Sequence, residues 1–163
     1  MTLAEFNGLD ADAARDVLRG VCASPAWAAT VSAARPYASV HDAYAAADSA
    51  LAALPEDEVD LALAGHPRIG ERSTHASSVR EQAAVLTADA GTRTALAEGN
   101  AEYEQRFGHV YLVAAAGRGP DELLAVLRAR LDNPPDVERR VLRGELATIN
   151  RLRLRSILET EAK

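Results

Sequence analysis

An all-α fold is predicted by three features of this 163-residue sequence. Alanine- and leucine-rich stretches carry their apolar residues at helical rather than alternating spacing. Serine, aspartate or proline stands before most of these stretches, where helix N-termini favour them. Glycine or proline follows several of them, where helices end. No repeat, low-complexity run or linker interrupts the series. One domain, residues 1–163, is therefore expected, built from about eight helices with a single polar loop.

Asp10 caps the first predicted helix, which runs to about Cys22 with Leu18 and Val21 among its apolar positions. Ser24-Pro25 pairs a cap with a proline at the first helical position, and this helix ends before Pro36. Ser39 opens a helix reaching about Ala53. Pro55-Glu56-Asp57-Glu58 opens the next, with acids in the first turn where the helix dipole favours them. It stops at Gly65, which is expected to form a left-handed cap. Ser78 begins a fifth helix. A sixth spans roughly Thr92 to Arg106, with Asn100, Tyr103 and Phe107 at helical spacing. Asp121 to Leu131 and Pro135 to Leu158 complete the set.

The net charge of -6, from 24 acidic and 18 basic residues, argues against nucleic acid or an anionic membrane as the main partner. No apolar run approaches the roughly 20 residues of a membrane span. The segment Met1 to Phe6 has neither a basic nor an apolar region of a secretion signal, and Glu161-Ala162-Lys163 is no peroxisomal address. A cytoplasmic protein is expected. Cys22 is the single cysteine, which leaves no disulfide framework or thiolate metal site, and it reads as a small core residue. Lys163 is the one lysine, so arginine abundance reflects composition and each arginine is judged by position.

The polar island Gly65-His66-Pro67-Arg68-Ile69-Gly70-Glu71, followed by Ser78-Val79-Arg80-Glu81-Gln82, is what helical packing does not explain. Pro67 pushes His66 out of the α region, so its imidazole stands free of a helix surface and can face a cavity. Glu81 has two readings: partner of His66, or the acid of a Ser78-x-x-Glu81 capping box. His41 and His75 lie in polar surroundings and read as solvated. A metal site from His66, Glu71, His75 and Glu81 can be written down, but it lacks a strong ligand spacing such as His-Glu-x-x-His.

Two other segments stand out. Phe107-Gly108-His109-Val110-Tyr111-Leu112-Val113 is β-branched and aromatic, and fits either a buried strand-like stretch or the start of an apolar helix. If Gly108 breaks the helix, unpaired main-chain N–H groups there can bind a polar planar ligand. In the last helix, Leu142, Leu146, Ile149, Arg153 and Ile157 share one stripe, whereas Arg151 and Arg155 project elsewhere. Arg153 must snorkel, pair with a carboxylate, or face an anion in a cavity.

Together, His66-Pro67-Arg68-Ile69-Gly70, Ser78-x-x-Glu81-Gln82, Asn100-x-x-Tyr103-x-x-x-Phe107-Gly108 and Ile149-x-x-Leu152-Arg153-Leu154 resemble the OHCU decarboxylases. The likeness extends upstream through Cys22-x-Ser24-x-x-Trp27-Ala28 and Arg35-Pro36. These enzymes act on 2-oxo-4-hydroxy-4-carboxy-5-ureidoimidazoline (OHCU) in uric acid degradation, giving (S)-allantoin. The resemblance implies an all-helical, cofactor-free enzyme without a metal, usually a homodimer. It makes His66 catalytic, with Glu81 and Arg153 beside it. Pro67, Ser78 and Gln82 become substrate contacts, together with the main chain of Gly108, His109, Val110, Tyr111, Leu112 and Val113. His109 stands where many members carry an aromatic or apolar residue. Two alternatives stay open: a non-catalytic helical interaction module, and a metal-dependent hydrolase with His66 and Glu81 as ligands.

Overall fold

The computed structural model describes residues 1–71 and 76–158, and among these it contains nine α-helices, one 3-10 turn and no strand. The all-α expectation holds. The chain forms two units, Met1–Gly65 with residues 147–158, and His66–Leu146.

The first unit opens with a helix that the sequence reading missed, α1 (Leu3–Gly8). Six residues are too few for a periodic signal, yet the capping box is written in Thr2-x-x-Glu5. The Thr2 hydroxyl accepts from the Glu5 N–H, and the Glu5 carboxylate accepts from the Thr2 N–H at 2.7 Å. Next, α2 (Ala11–Arg19) starts at the Asp10 cap as expected, but stops short of Cys22. The Val21 and Cys22 N–H groups both turn onto the Leu18 carbonyl, which closes the helix.

The remaining helices of this unit are α3 (Pro25–Ala33), α4 (Val40–Ala52) and α5 (Glu56–Ala64), each beginning where its cap residue predicts. Ser24 serves two elements. Its Oγ accepts from the Trp27 N–H at 3.0 Å and donates to Glu58 Oε2 at 2.6 Å, fastening the start of α3 to α5. Trp27 is fully buried and gives its indole N–H to the Ala47 carbonyl of α4, so the largest side chain leaves no polar atom unpaired. Cys22 is buried as expected, and burial pushes its thiol pKa up.

One expectation fails here. Gly65 ends α5 with φ −82, in the right-handed region, so no left-handed cap forms. Glycine is needed there for space: a Cβ would lie 3.0 Å from the Ala23 methyl.

The second unit holds the non-helical residues 66–71, α6 (Ala76–Glu81), a 3-10 turn (Val85–Thr87), α7 (Ala90–Phe107), α8 (Pro120–Leu131) and the first part of α9 (Pro135–Leu158). Asp89 accepts from the Thr92 N–H at 2.7 Å, so α7 begins two residues before the expected Thr92. The core gathers Leu96 and Tyr103 of α7, Leu123 and Leu127 of α8, and Tyr111 and Val113 from the connection between them. That connection, residues 109–115, is neither a ladder-paired strand nor a helix. It is an irregular segment, buried from Tyr111 to Ala115.

Helices α7 and α8 approach closely at Gly99, where a Cβ would stand 2.6 Å from Leu127 Cδ2. Leu127 is fully buried and cannot swing away cheaply. Gly99→Ala is therefore expected to destabilise the fold by about 1–2 kcal/mol, the overpacking outweighing alanine's helix propensity. Urea denaturation measures it; a more stable alanine variant would refute the close approach.

Candidate active site

The His66 loop leaves α5 without regular structure at residues 66–68, and Pro67 disfavours a helical conformation at the residue before it. His66 and Pro67 are half-buried. Three anchors hold the loop to the second unit. Arg68 reaches Glu104 of α7 through Nη2–Oε2 at 3.0 Å and Glu71 through Nη1 at 3.1 Å. Asn100 Nδ2 donates to the Ile69 carbonyl at 3.0 Å. Gly70, at φ 88, gives its N–H to Gln82 Oε1 at 2.9 Å. A glycine is required at that positive φ. One acceptor site of the Gln82 carbonyl oxygen is thus committed to the loop.

The loop-anchoring roles of Asn100 and the Arg68–Glu104 pair were absent from the sequence reading. In sequence Asn100 carries only its helical spacing and its place in the Asn100-x-x-Tyr103 motif. It is 3 % exposed, which marks it as a polar residue kept in a core for its hydrogen bond.

The capping-box reading of Glu81 is overturned. Helix α6 begins at Ala76, so Ser78 is its third residue, nearly fully buried, and its carbonyl accepts from the Gln82 N–H. Glu81 closes the helix instead of opening it and is half-buried. An acid at that end is disfavoured by the helix dipole, so helix capping does not account for it.

After α7, Gly108 adopts φ 76 and its N–H returns to the Glu104 carbonyl at 2.8 Å. The expected break occurs, but the Gly108 N–H itself is paired. Ala114 is also satisfied, by Glu145 Oε2 at 2.8 Å. Among the described residues, none of the five N–H groups between them, His109 to Val113, has a hydrogen-bond partner. Tyr111, Leu112 and Val113 are buried, and buried main-chain donors are rarely left so, which favours the ligand-binding reading at these three residues. His109 is half-buried, stacked on Phe107 with its Nδ1 3.2 Å from the Val110 carbonyl.

Beneath this segment lies an ionic cluster that the sequence reading missed. Glu138 is fully inaccessible and Arg130 is 5 % exposed. Glu138 Oε1 accepts from Arg130 Nε at 2.8 Å, from Arg130 Nη2 and from the Tyr103 hydroxyl. Arg130 Nη1 donates to the Leu112 carbonyl at 2.7 Å, with the guanidinium 4.9 Å from the Tyr111 ring centre. Burial disfavours the Arg130 charge, but the Glu138 bonds outweigh it and hold the guanidinium ionised. Burial, then the Glu138 bond, raises the Tyr103 phenol well above its ordinary value. A signal existed in the sequence. Arg130 continues the Leu123–Leu127 stripe of α8, and Glu138 the Leu142–Leu146 stripe of α9, so opposite charges stand in apolar faces of adjacent helices.

Arg153 belongs to the first unit; the other candidates belong to the second. It is buried on the α9 stripe as its spacing predicts, while Arg151 and Arg155 are exposed. Snorkelling is ruled out, and its Nη1 donates to the Val21 carbonyl at 3.2 Å. Arg151 pairs at the surface with Asp48. His41 is exposed, as expected, and His75 lies outside the described residues. Among the described residues no three His, Cys, Asp or Glu side chains are grouped to hold a metal ion. A cavity of about 320 Å³ is lined by Arg68, Gly70, Arg93, Asn100 and Glu104 among others, and not by His66, Ser78, Glu81 or Gln82. No described helix is long and apolar enough to cross a membrane.

The arrangement is that of a helical protein with a half-buried histidine on an anchored loop and main-chain donors that have no partner among the described residues. Comparison with known proteins gives the family. The family model described as OHCU decarboxylase matches residues 7–155, and the chain belongs to that family. The 2-oxo-4-hydroxy-4-carboxy-5-ureidoimidazoline decarboxylase of Amia calva is 30% identical over 145 residues, covering 85% of this chain and 83% of that protein. The Haloferax volcanii decarboxylase of the same name is 28% identical over 99% of this chain and 98% of its own length. A crystal structure of OHCU decarboxylase in the presence of (S)-allantoin superposes with TM-score 0.79 at 26% identity, over 87% of this chain and 96% of that one.

The Arg68 bonds lower the Glu104 pKa from its ordinary 4.5. The sign follows: stability from this pair is fully present above pH 4.5 and is lost as pH falls through the depressed value. Glu104→Gln is expected to lower the melting temperature by a constant amount between about pH 6 and 8, with the difference shrinking below pH 4.5 as the depressed value is approached. Thermal melts across that range check it; a pH-independent difference would refute the ion pair as its source.

Proposed function

We propose that this chain decarboxylates OHCU to (S)-allantoin, a step of uric acid degradation. Family membership across residues 7–155 carries this reading. In OHCU the carbon that loses CO₂ also bears a hydroxyl and adjoins a C=N carbon. The electron pair of the breaking C–C bond flows into that C=N bond, and its nitrogen takes up a proton from solvent. The hydroxyl-bearing carbon then becomes the allantoin carbonyl as its O–H proton leaves, and the neighbouring carbon takes a proton on one face.

The substrate thus contains its own electron sink, and the protein has to supply orientation and proton transfer. Imidazole titrates near neutrality, so His66 is assigned the exchange of protons with the hydroxyl and with the carbon that becomes the stereocentre. Glu81 holds the imidazole in one tautomer or binds the hydroxyl. Arg153 provides the cation for a substrate anion, and its planar fork suits carboxylate or ureido oxygens. Pro67, Ser78 and the Gln82 amide are assigned to substrate contact, as are the main-chain groups of residues 108–113. Holding the breaking bond in line with the C=N system is the entropic part of the catalysis. We assign the 163 residues to one functional domain, working as a homodimer in the cytoplasm; light scattering and fractionation of native cells test the last two.

The test generates OHCU in situ from urate and follows its decay by absorbance and allantoin chirality by circular dichroism. His66→Asn is expected to keep the helical signal and to cut turnover by about 10²–10⁴-fold, the scale of lost acid–base help. Near-normal turnover would remove His66 from the chemistry. Glu81→Gln preserves shape and hydrogen-bonding capacity but not charge. It should leave stability within about 0.5 kcal/mol, as for substitutions away from buried networks, while suppressing turnover. A fully active Gln variant would show that the carboxylate is dispensable. Arg153→Lys keeps the charge without the fork and should raise KM or lower kcat, whereas Arg151→Lys and Arg155→Lys stay near wild type.

A further inference from the structure

Nothing in the proposed chemistry accounts for the Arg130–Glu138 pair, whose two charged groups are as buried as the hydrophobic core. Such a pair is a poor stabilising device, because desolvating both ions offsets their attraction, and apolar replacements are often as stable or more so. Its retention calls for another reason, and the geometry supplies one. Beyond Glu138, Arg130 makes one further hydrogen bond, from Nη1 to the Leu112 carbonyl at 2.7 Å. A trans peptide is planar, with its C=O and the following N–H pointing in opposite directions. Gripping the Leu112 carbonyl therefore turns the Val113 N–H away from Arg130. On the other side, Glu145 takes the Ala114 N–H at 2.8 Å and so sets the next peptide plane. Val113 is held on both flanks while its own N–H is left without a partner among the described residues.

We propose that Arg130, braced by Glu138 and Tyr103, is a positioning residue of the decarboxylation site, orienting the 112–113 peptide so that the Val113 N–H donates to bound substrate. This rests on the decarboxylase reading above. Arg130 acts through the main chain and touches no reacting atom. Tyr103 completes the brace: its hydroxyl donates to the same Glu138 oxygen that takes Arg130, so the carboxylate is fixed from two elements, α7 and α8.

The test uses the full chain with Arg130→Met, Glu138→Leu and Tyr103→Phe together, so that neither ion is left buried without its counter-ion; only the Asn133 amide and the Leu112 carbonyl give up bonds to the cluster. Thermal melting, the KM and kcat for OHCU, and hydrogen exchange at residues 111–114 are measured together. The expected result is a melting temperature at or above wild type, faster exchange at Val113, and kcat/KM lowered about tenfold or more with a raised KM. A purely structural role would scale kcat by the folded fraction and leave KM unchanged, and that result overturns the proposal. Arg130→Lys decides the matter if the triple variant does not fold. Its single ammonium cannot serve Glu138 and the Leu112 carbonyl with the same fork, so KM should rise while the fold persists. Wild-type KM and kcat in Arg130→Lys overturn the inference. Wild-type protein that fails to consume OHCU overturns the decarboxylase reading itself, whereas active wild type with unaffected variants overturns only the role of Arg130.

Discussion

The second unit depends on one constraint: a stretch of main chain, residues 109–115, buried from Tyr111 onward, has neither a helix nor a sheet to satisfy its polar groups. Tyr111 and Val113 share a core with residues of α7 and α8, and Tyr111 to Ala115 are buried. Apart from the Ala115 carbonyl, which accepts from the Arg118 N–H, the peptide groups there depend on side chains or a ligand. Arg130 takes one carbonyl and Glu145 one N–H, and the N–H groups of residues 109–113 stay open. The ionic cluster is where it is because this segment is where it is.

The same economy shapes the His66 loop. Its sequence prevents regular structure, since Pro67 ends one helix and Gly70 sits at positive φ. It is held by side chains reaching from α7 and from just beyond α6, namely Glu104, Asn100 and Gln82. Two irregular segments and two sets of anchoring side chains therefore belong to one helical scaffold. Helix α7 contributes to both, holding the loop through Asn100 and Glu104 and the cluster through Tyr103. A histidine needed at a defined angle and a row of main-chain donors are both better held by rigid helices than by their own loops.

Some of the site was legible in advance. Caps and proline positions placed the helices to within a few residues, because these signals are local hydrogen-bond chemistry. Arg153 was found by its spacing, and the structure buries it where that spacing says. The capping box of Ser78 and Glu81 was misread because a cap motif is identical in sequence wherever the helix happens to start, and α6 starts two residues earlier. Gly65 was misread for a related reason: a glycine after a helix signals either a left-handed residue or a close approach, and only the neighbour, Ala23, decides.

The sequence by itself determined the all-α architecture, the caps, the His-Pro turn and the buried arginine of the last helix. Each of these follows from residues within a turn or two of one another. Tertiary structure alone decided that residues 111–115 would be buried without a ladder and that Arg130 would meet Glu138 beside them. It also committed the Gln82 oxygen to the Gly70 N–H. Those outcomes join residues 8 to 18 positions apart. They are set by which polar groups lose access to water when helices pack, a quantity that no local pattern encodes.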